Sequence, residues 1–122
     1  MPAQTDFPAV FEKLKAILKP YAKAMTIKQD TENAFYLDAP YSEKWKKDLY
    51  FGSVHIKKNY VSFYFMPVYM HPDLLKNISP ELKKQMQGKS CFNFKKIEKP
   101  LFEELRQLTK QGFERFMKEN YS

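Results

Sequence analysis

The chain has 122 residues, 43% of them hydrophobic and 16% aromatic, with a formal charge of +7. That length makes one domain, able to bury roughly two-thirds of its unfolded surface without staples. The single cysteine, Cys91, excludes an internal disulfide and fits a reducing cytosol, and no segment approaches the ~18 uncharged apolar residues of a membrane span. The opening, MPAQTDFPAVFEKL, lacks a basic region followed by an apolar run. No signal peptide is therefore expected, and the expected location is cytoplasmic.

Phe7, Val10, Phe11, Leu14, Ile17, Leu18 and Tyr21 recur at helical spacing, with Glu12, Lys13, Lys15 and Lys19 between them. The pattern predicts an amphipathic helix over roughly 6–20, packed on a sheet by one apolar stripe. Asp6 can cap its start by accepting backbone N–H bonds, and Pro20 sets its end near Lys19 to Tyr21. Ala24 to Gln29 and Ala34 to Leu37 read as short strands around the turn-forming DTEN. Asp38 to Lys47 reads as a polar loop holding Trp45, the only tryptophan.

Two longer strands follow in LYFGSVHIKKNYVSFYFM, over roughly 48–57 and 60–67. Their turn falls at Lys58-Asn59, where asparagine tolerates a positive φ, and Pro67 closes the second strand. Strict alternation places Val61, Phe63 and Phe65 on one face, and Tyr60, Ser62, Tyr64 and Met66 on the other. Phe63 and Phe65 are expected to face the long helices. The second face mixes ring and hydroxyl, with Phe51 and His55 expected opposite. A sheet covered on one side only should instead alternate apolar with charged residues. Tyr60, Ser62, Tyr64, Met66, Phe51 and His55 are accordingly the candidate ligand-facing residues, since aromatic bodies with polar tips suit a pocket or an interface. The plainer alternative is that short helices around 72–87 cover this face as ordinary core.

MPVYMHPDLL and SPELKKQMQG suggest those short helices, with Ser79 as N-cap, Pro80 at the first helical position and Gly88 as a stop. CFNFK alternates as a last strand with Phe92 and Phe94 on one face. Pro100 opens a final helix over roughly 100–118, with an apolar stripe of Leu101, Leu105, Leu108, Phe116 and Met117 and with Phe113 at its edge. No internal repeat, low-complexity stretch or linker divides the chain. The order implies one α+β domain over residues 1–122: a two-layer fold with an antiparallel sheet of about five strands. The N- and C-terminal helices lie on one face, with short helices between the last strands.

His55, His71 and Cys91 are the only soft metal ligands, and they show none of the CxxC or HxxxH spacings that make a site; no metal and no cofactor is expected. Cys91 reads as a small packing residue. Gly88-Lys89-Ser90 resembles the end of a phosphate loop, but Lys83 stands where that motif needs glycine, and a helix precedes and a strand follows. From Lys76 to Lys99 seven lysines face Glu81 and Glu98, while arginine occurs only at Arg106 and Arg115. Arginine is the better reader of phosphate and base edges, so the lysines read as a solvated face and nucleic acid is disfavoured as a partner. No acid–base or nucleophile constellation marks an enzyme. The expected activity is that of a non-enzymatic binding or interaction module, its partner a small amphipathic ligand or a second copy of itself, with no membrane.

The layout resembles the YdhG-like family of small bacterial domains of unknown function, over most of the chain. The best local marks are YFGSVHIKKNYVSFYF and the GKSCFNF segment at Gly88 to Phe94. The resemblance implies a two-layer α+β fold with an antiparallel sheet. Some members are described as frataxin-like intracellular iron chaperones, which makes iron handling the alternative function. Such binding relies on an acidic ridge, whereas the only adjacent carboxylates here are Glu103 and Glu104, on a chain of +7.

Overall fold

The computed structural model describes residues 6–121; the first five residues, where the segment read for a leader begins, and residue 122 lie outside the described residues. Helix α1 spans Phe7–Leu18. Asp6 caps it, its Oδ1 accepting from the Ala9 N–H at 3.2 Å, and Pro8 sits in the first turn, where no N–H is missed. The α-helix ends at Leu18 with Lys19 as its C-cap, beside Pro20 as expected. The chain continues as a 3₁₀ turn, Lys19–Ala24, with Pro20 in its first turn, where no N–H bond is lost.

Five strands then form one antiparallel sheet in chain order: β1 Thr26–Asp30, β2 Ala34–Ser42, β3 Lys47–Ile56, β4 Val61–Phe65 and β5 Cys91–Phe94. β2 is longer than its sequence suggests, because residues expected in a loop continue it. Ala39 and Ser42 are buried, and the Ser42 hydroxyl donates to the Asn120 carbonyl at 3.2 Å. Pro40 is accommodated where the β2–β3 register slips between Asp38 and Tyr41, a position that asks for no ladder N–H. The turn between β3 and β4 also differs from expectation. Lys57 N–H donates to the Tyr60 carbonyl at 2.8 Å, closing a four-residue loop in which Asn59 has no positive φ. Among the described residues only Lys46, in the β2–β3 turn, has one without being glycine.

A bulge in β3 corrects the assignment of Phe51. Leu37 pairs with Gly52 and the next residue, Asp38, pairs with Tyr50, so Phe51 is an extra residue. The bulge breaks strict alternation and turns Phe51 into the core, where it is fully buried. Its ring meets Phe65, Phe116 and Phe113 edge-on at 5.4, 5.5 and 5.9 Å. Tyr50 is sent to the other face instead.

The inner face of the sheet contributes Val54, Val61, Phe63, Phe65, Phe92 and Phe94, all buried. Against it pack α1 and the last helix, α4, Lys99–Tyr121. The buried stripe of α4 is Phe102, Leu105, Leu108, Thr109, Gly112 and Phe116. Leu101 and Met117, expected on it, are only partly buried. Gly112 lets α4 approach β4 closely: a Cβ there would lie 2.5 Å from Phe65 Cε2.

The short helices, α2 Met66–Met70 and α3 Pro80–Lys83, and the 3₁₀ turn Pro72–Leu75 pack beside α4. Ser79 caps α3 as expected, its Oγ accepting from Leu82 N–H at 3.1 Å. Ser79 in turn donates its N–H and hydroxyl to the Glu104 carboxylate, each at 2.6 Å, which ties the segment to α4. The described helices therefore gather on the inner side and do not cover the outer face of the sheet. Beyond β5, Gln85 and Gln87 bond through their main chains to Asn93 and Cys91, and Gly88 turns the chain at φ 81. No helix among the described residues is long and apolar enough to cross a membrane.

Candidate functional site

On the outer face, two rows of side chains run across the strands. Tyr36, Ser53, Tyr64 and Cys91 are successive register partners from β2 to β5, and His55, Ser62 and Asn93 form the row beside them. Small residues alternate with rings, so Ser53 and Ser62 are each 1% exposed although the helices lie on the other side. The two buried hydroxyls of this layer, Ser53 and Ser62, both have partners, as buried polar groups require. Ser53 Oγ shares hydrogen bonds with Tyr50 Oη at 2.5 Å and His55 Nε2 at 2.9 Å. Ser62 Oγ and Cys91 Sγ both donate to Asn93 Oδ1, at 2.7 and 3.2 Å, and Asn93 Nδ2 donates to Gln87 Oε1 at 2.7 Å.

Burial sets the electrostatics of this layer. Burial, then the nearby Lys57 ammonium, hold His55 below the usual histidine range, so it is neutral at pH 7. Burial raises the Tyr50 and Tyr64 phenols and the Cys91 thiol; the thiol, unlike a thiolate, is a poor nucleophile. The His55 ring stands edge-on to Tyr64 at 5.7 Å, and Lys57 Nζ lies 5.9 Å from the Tyr64 centroid.

Two grooves open at diagonal corners of this face. One, of about 460 Å³, is lined by Tyr36, Asp38, Trp45, Tyr50, Met66 and Tyr69 among others. The Tyr36 and Tyr50 rings meet at a tilt of 39° with centroids 4.9 Å apart. Trp45 and Tyr69 are 47% and 54% exposed. Trp45 Nε1 donates to Asn120 Oδ1 at 2.7 Å, which fixes the indole against α4. Asp38 stands at the sheet side of this groove; burial pushes its carboxyl up, Lys28 opposes the shift and Asp48 adds to it. The other groove, of about 800 Å³, is lined by Asn59, Tyr60, Gln87, Lys84, Lys95 and Lys96 among others.

Of the six residues singled out from sequence, Ser62, Tyr64 and His55 meet on the outer face. Tyr60 stands at its corner in the lysine-lined groove, and Met66, the first residue of α2, stands at the opposite corner in the aromatic groove. Phe51 is in the core. The residues that alternation missed are Tyr36, Tyr50, Trp45, Tyr69 and Asn93. Tyr36 and Trp45 were visible as aromatics, but only the extension of β2 and the bulge in β3 place Tyr36, Tyr50 and Trp45 together. His71 lies apart, near Arg115 and Asp73, its Nε2 buried without a partner among the described residues. Glu103 turns to Arg106 and Gln107 while Glu104 binds Ser79, so the adjacent carboxylates serve different partners. A comparison of the chain with protein-family models, curated proteins and solved structures finds no match.

Proposed function

We propose that the chain is a non-enzymatic binding module whose working surface is the outer sheet face, with a small amphipathic ligand seated in the aromatic groove. One observation carries this: four rings, Tyr36, Tyr50, Trp45 and Tyr69, line a 460 Å³ groove with Asp38 at its side, where α2 borders the open face of the sheet. Ligand sites are typically concave and mostly apolar, with a few polar groups that fix orientation, and half-exposed rings with polar tips suit that boundary. Membership of the YdhG-like family and a cytoplasmic location are proposed on the sequence patterns alone. The iron-handling alternative is not carried forward, because Glu104 is committed to Ser79 and Glu103 to its own helix.

The sole tryptophan lines the groove, so its emission reports occupancy. Titration with the amphipathic dye 8-anilinonaphthalene-1-sulfonate should give saturable binding with energy transfer from Trp45. Tyr69→Ala removes an exposed ring and should weaken the dye several-fold while the melting temperature holds. Linear, non-saturating dye uptake would end this reading, as would saturable binding indifferent to Tyr69→Ala. Light scattering over a concentration series addresses the other occupant, a second copy. A dimer that Tyr69→Ala dissociates would replace the small ligand by self-association.

A further inference from the structure

The positive charge of the chain is concentrated in one region. Between Lys57 and Lys99 nine lysines stand against Asp73, Glu81 and Glu98, so +6 of the net +7 lies in that segment. In sequence these lysines look like a solvated face. The fold changes their meaning by bringing three separate segments to one groove: the β3–β4 turn with Asn59 and Tyr60, the segment Lys84 to Gln87, and Lys95 to Glu98 after β5. Lys84, Lys95 and Lys96 are exposed there, and none of the three takes part in the ion pairs formed by Lys15, Arg106 and Arg115. Glu98 is the single carboxylate in the lining. Tyr60 is half-buried and lines the groove together with Asn59, Gln85 and Gln87.

We propose that this groove is a track for single-stranded nucleic acid, with Lys84, Lys95 and Lys96 on the phosphates and Tyr60 as a platform for one base. A positive groove with an aromatic ring along it is the arrangement by which proteins hold single strands with little sequence preference, because every base has a face to stack. Lysine acts on phosphate as a point charge without the paired geometry of arginine, so the scarcity of arginine removes base discrimination and leaves backbone binding intact. A duplex keeps its bases stacked on one another and cannot offer one to Tyr60. This inference reverses the expectation drawn from the lysines in sequence, and it is independent of the aromatic groove at the opposite corner.

Fluorescence anisotropy with a labelled single strand of about 12 nucleotides, repeated across salt concentrations, tests it. Three phosphate contacts should give a slope of log affinity against log salt of about −2. The triple variant Lys84→Gln, Lys95→Gln, Lys96→Gln should lose most of both the affinity and the slope. Tyr60→Ala should weaken binding roughly tenfold at unchanged slope, as loss of one stacked base does. The control of equal charge, Lys13→Gln, Lys23→Gln, Lys110→Gln, removes exposed lysines elsewhere and should leave binding nearly intact. The proposal is overturned if the control weakens binding as much as the groove triple, if a hairpin duplex binds as tightly as the strand, or if a mononucleotide competes at equal concentration. A folded Tyr60→Ala variant with unaltered affinity would overturn the stacking role and with it the single-strand assignment.

Discussion

Strands β3 and β4 present two surfaces from the same residues, and the two obey different rules. The inner surface is hydrocarbon: Val54, Val61, Phe63 and Phe65 are sealed by α1 and α4 without a titratable group among them. The outer surface is a lattice of phenol, hydroxyl, imidazole and amide whose members bond one another sideways. Only the first surface needs a second layer of protein to be stable. The second supplies its own partners and keeps its rings half in water, so a sheet can leave it open without cost in unsatisfied groups. The difference separates a face that needs covering from one that is stable while open to water.

The comparison is tested hardest at Phe63, fully buried on the inner surface. Phe63→Ala should cost about 3–5 kcal/mol, a large share of the stability of a domain this size; a urea melt showing a loss below ~1 kcal/mol would dissolve the distinction between the faces. Gly112→Ala comes next. In an open helix the change would gain up to about 1 kcal/mol, but here the new methyl meets Phe65 backed by the core, so a net loss of about 1–3 kcal/mol is expected from overpacking. On the outer surface, Ser62→Ala removes a hydroxyl from Asn93 while Cys91 and Gln87 still engage that amide. The loss should be about 1 kcal/mol, clearly less than either inner change.

A pH series sharpens the comparison further, since the inner surface cannot respond to it. Burial lowers the folded-state values of His55 and His71 from 6.5. Below the unfolded value the unfolded chain takes up protons that the folded chain refuses, so stability is full above it and falls as the pH drops. Urea midpoints at about pH 7.5 and about pH 5.5 should differ in that direction. His55→Gln should shrink the difference without abolishing it, because His71 remains.

Much of the fold could be read from sequence because it depends on local patterns. The stripe from Phe7 to Leu18, the Ser79-Pro80 cap and the alternation in CFNFK each need only neighbours a few residues away. The sites were less legible. Phe51 was misplaced because a bulge shifts the phase of a strand by one residue, and such a shift reverses every face beyond it. β2 was cut short at Leu37 because Asp38 to Lys47 reads as a polar loop, while the buried bond from Ser42 to Asn120 spans 78 positions of sequence. The lysine-lined groove is assembled from three segments that only the sheet brings together, and no spacing rule connects them.

The two margins of the sheet carry one more consequence. The far side of β5 is occupied by the main chain of Gln85 and Gln87. The other margin, β1, is five residues long, exposed along its length, and irregular between Ile27 and Gln29, with Lys28 at the kink. Open margins invite strand addition from another molecule, leading to swapped dimers or fibrils, and a short, bent, charged strand is a standard defence. Another molecule of this chain therefore meets no straight ladder to extend, so the sheet is protected against uncontrolled edge-to-edge growth even at high concentration.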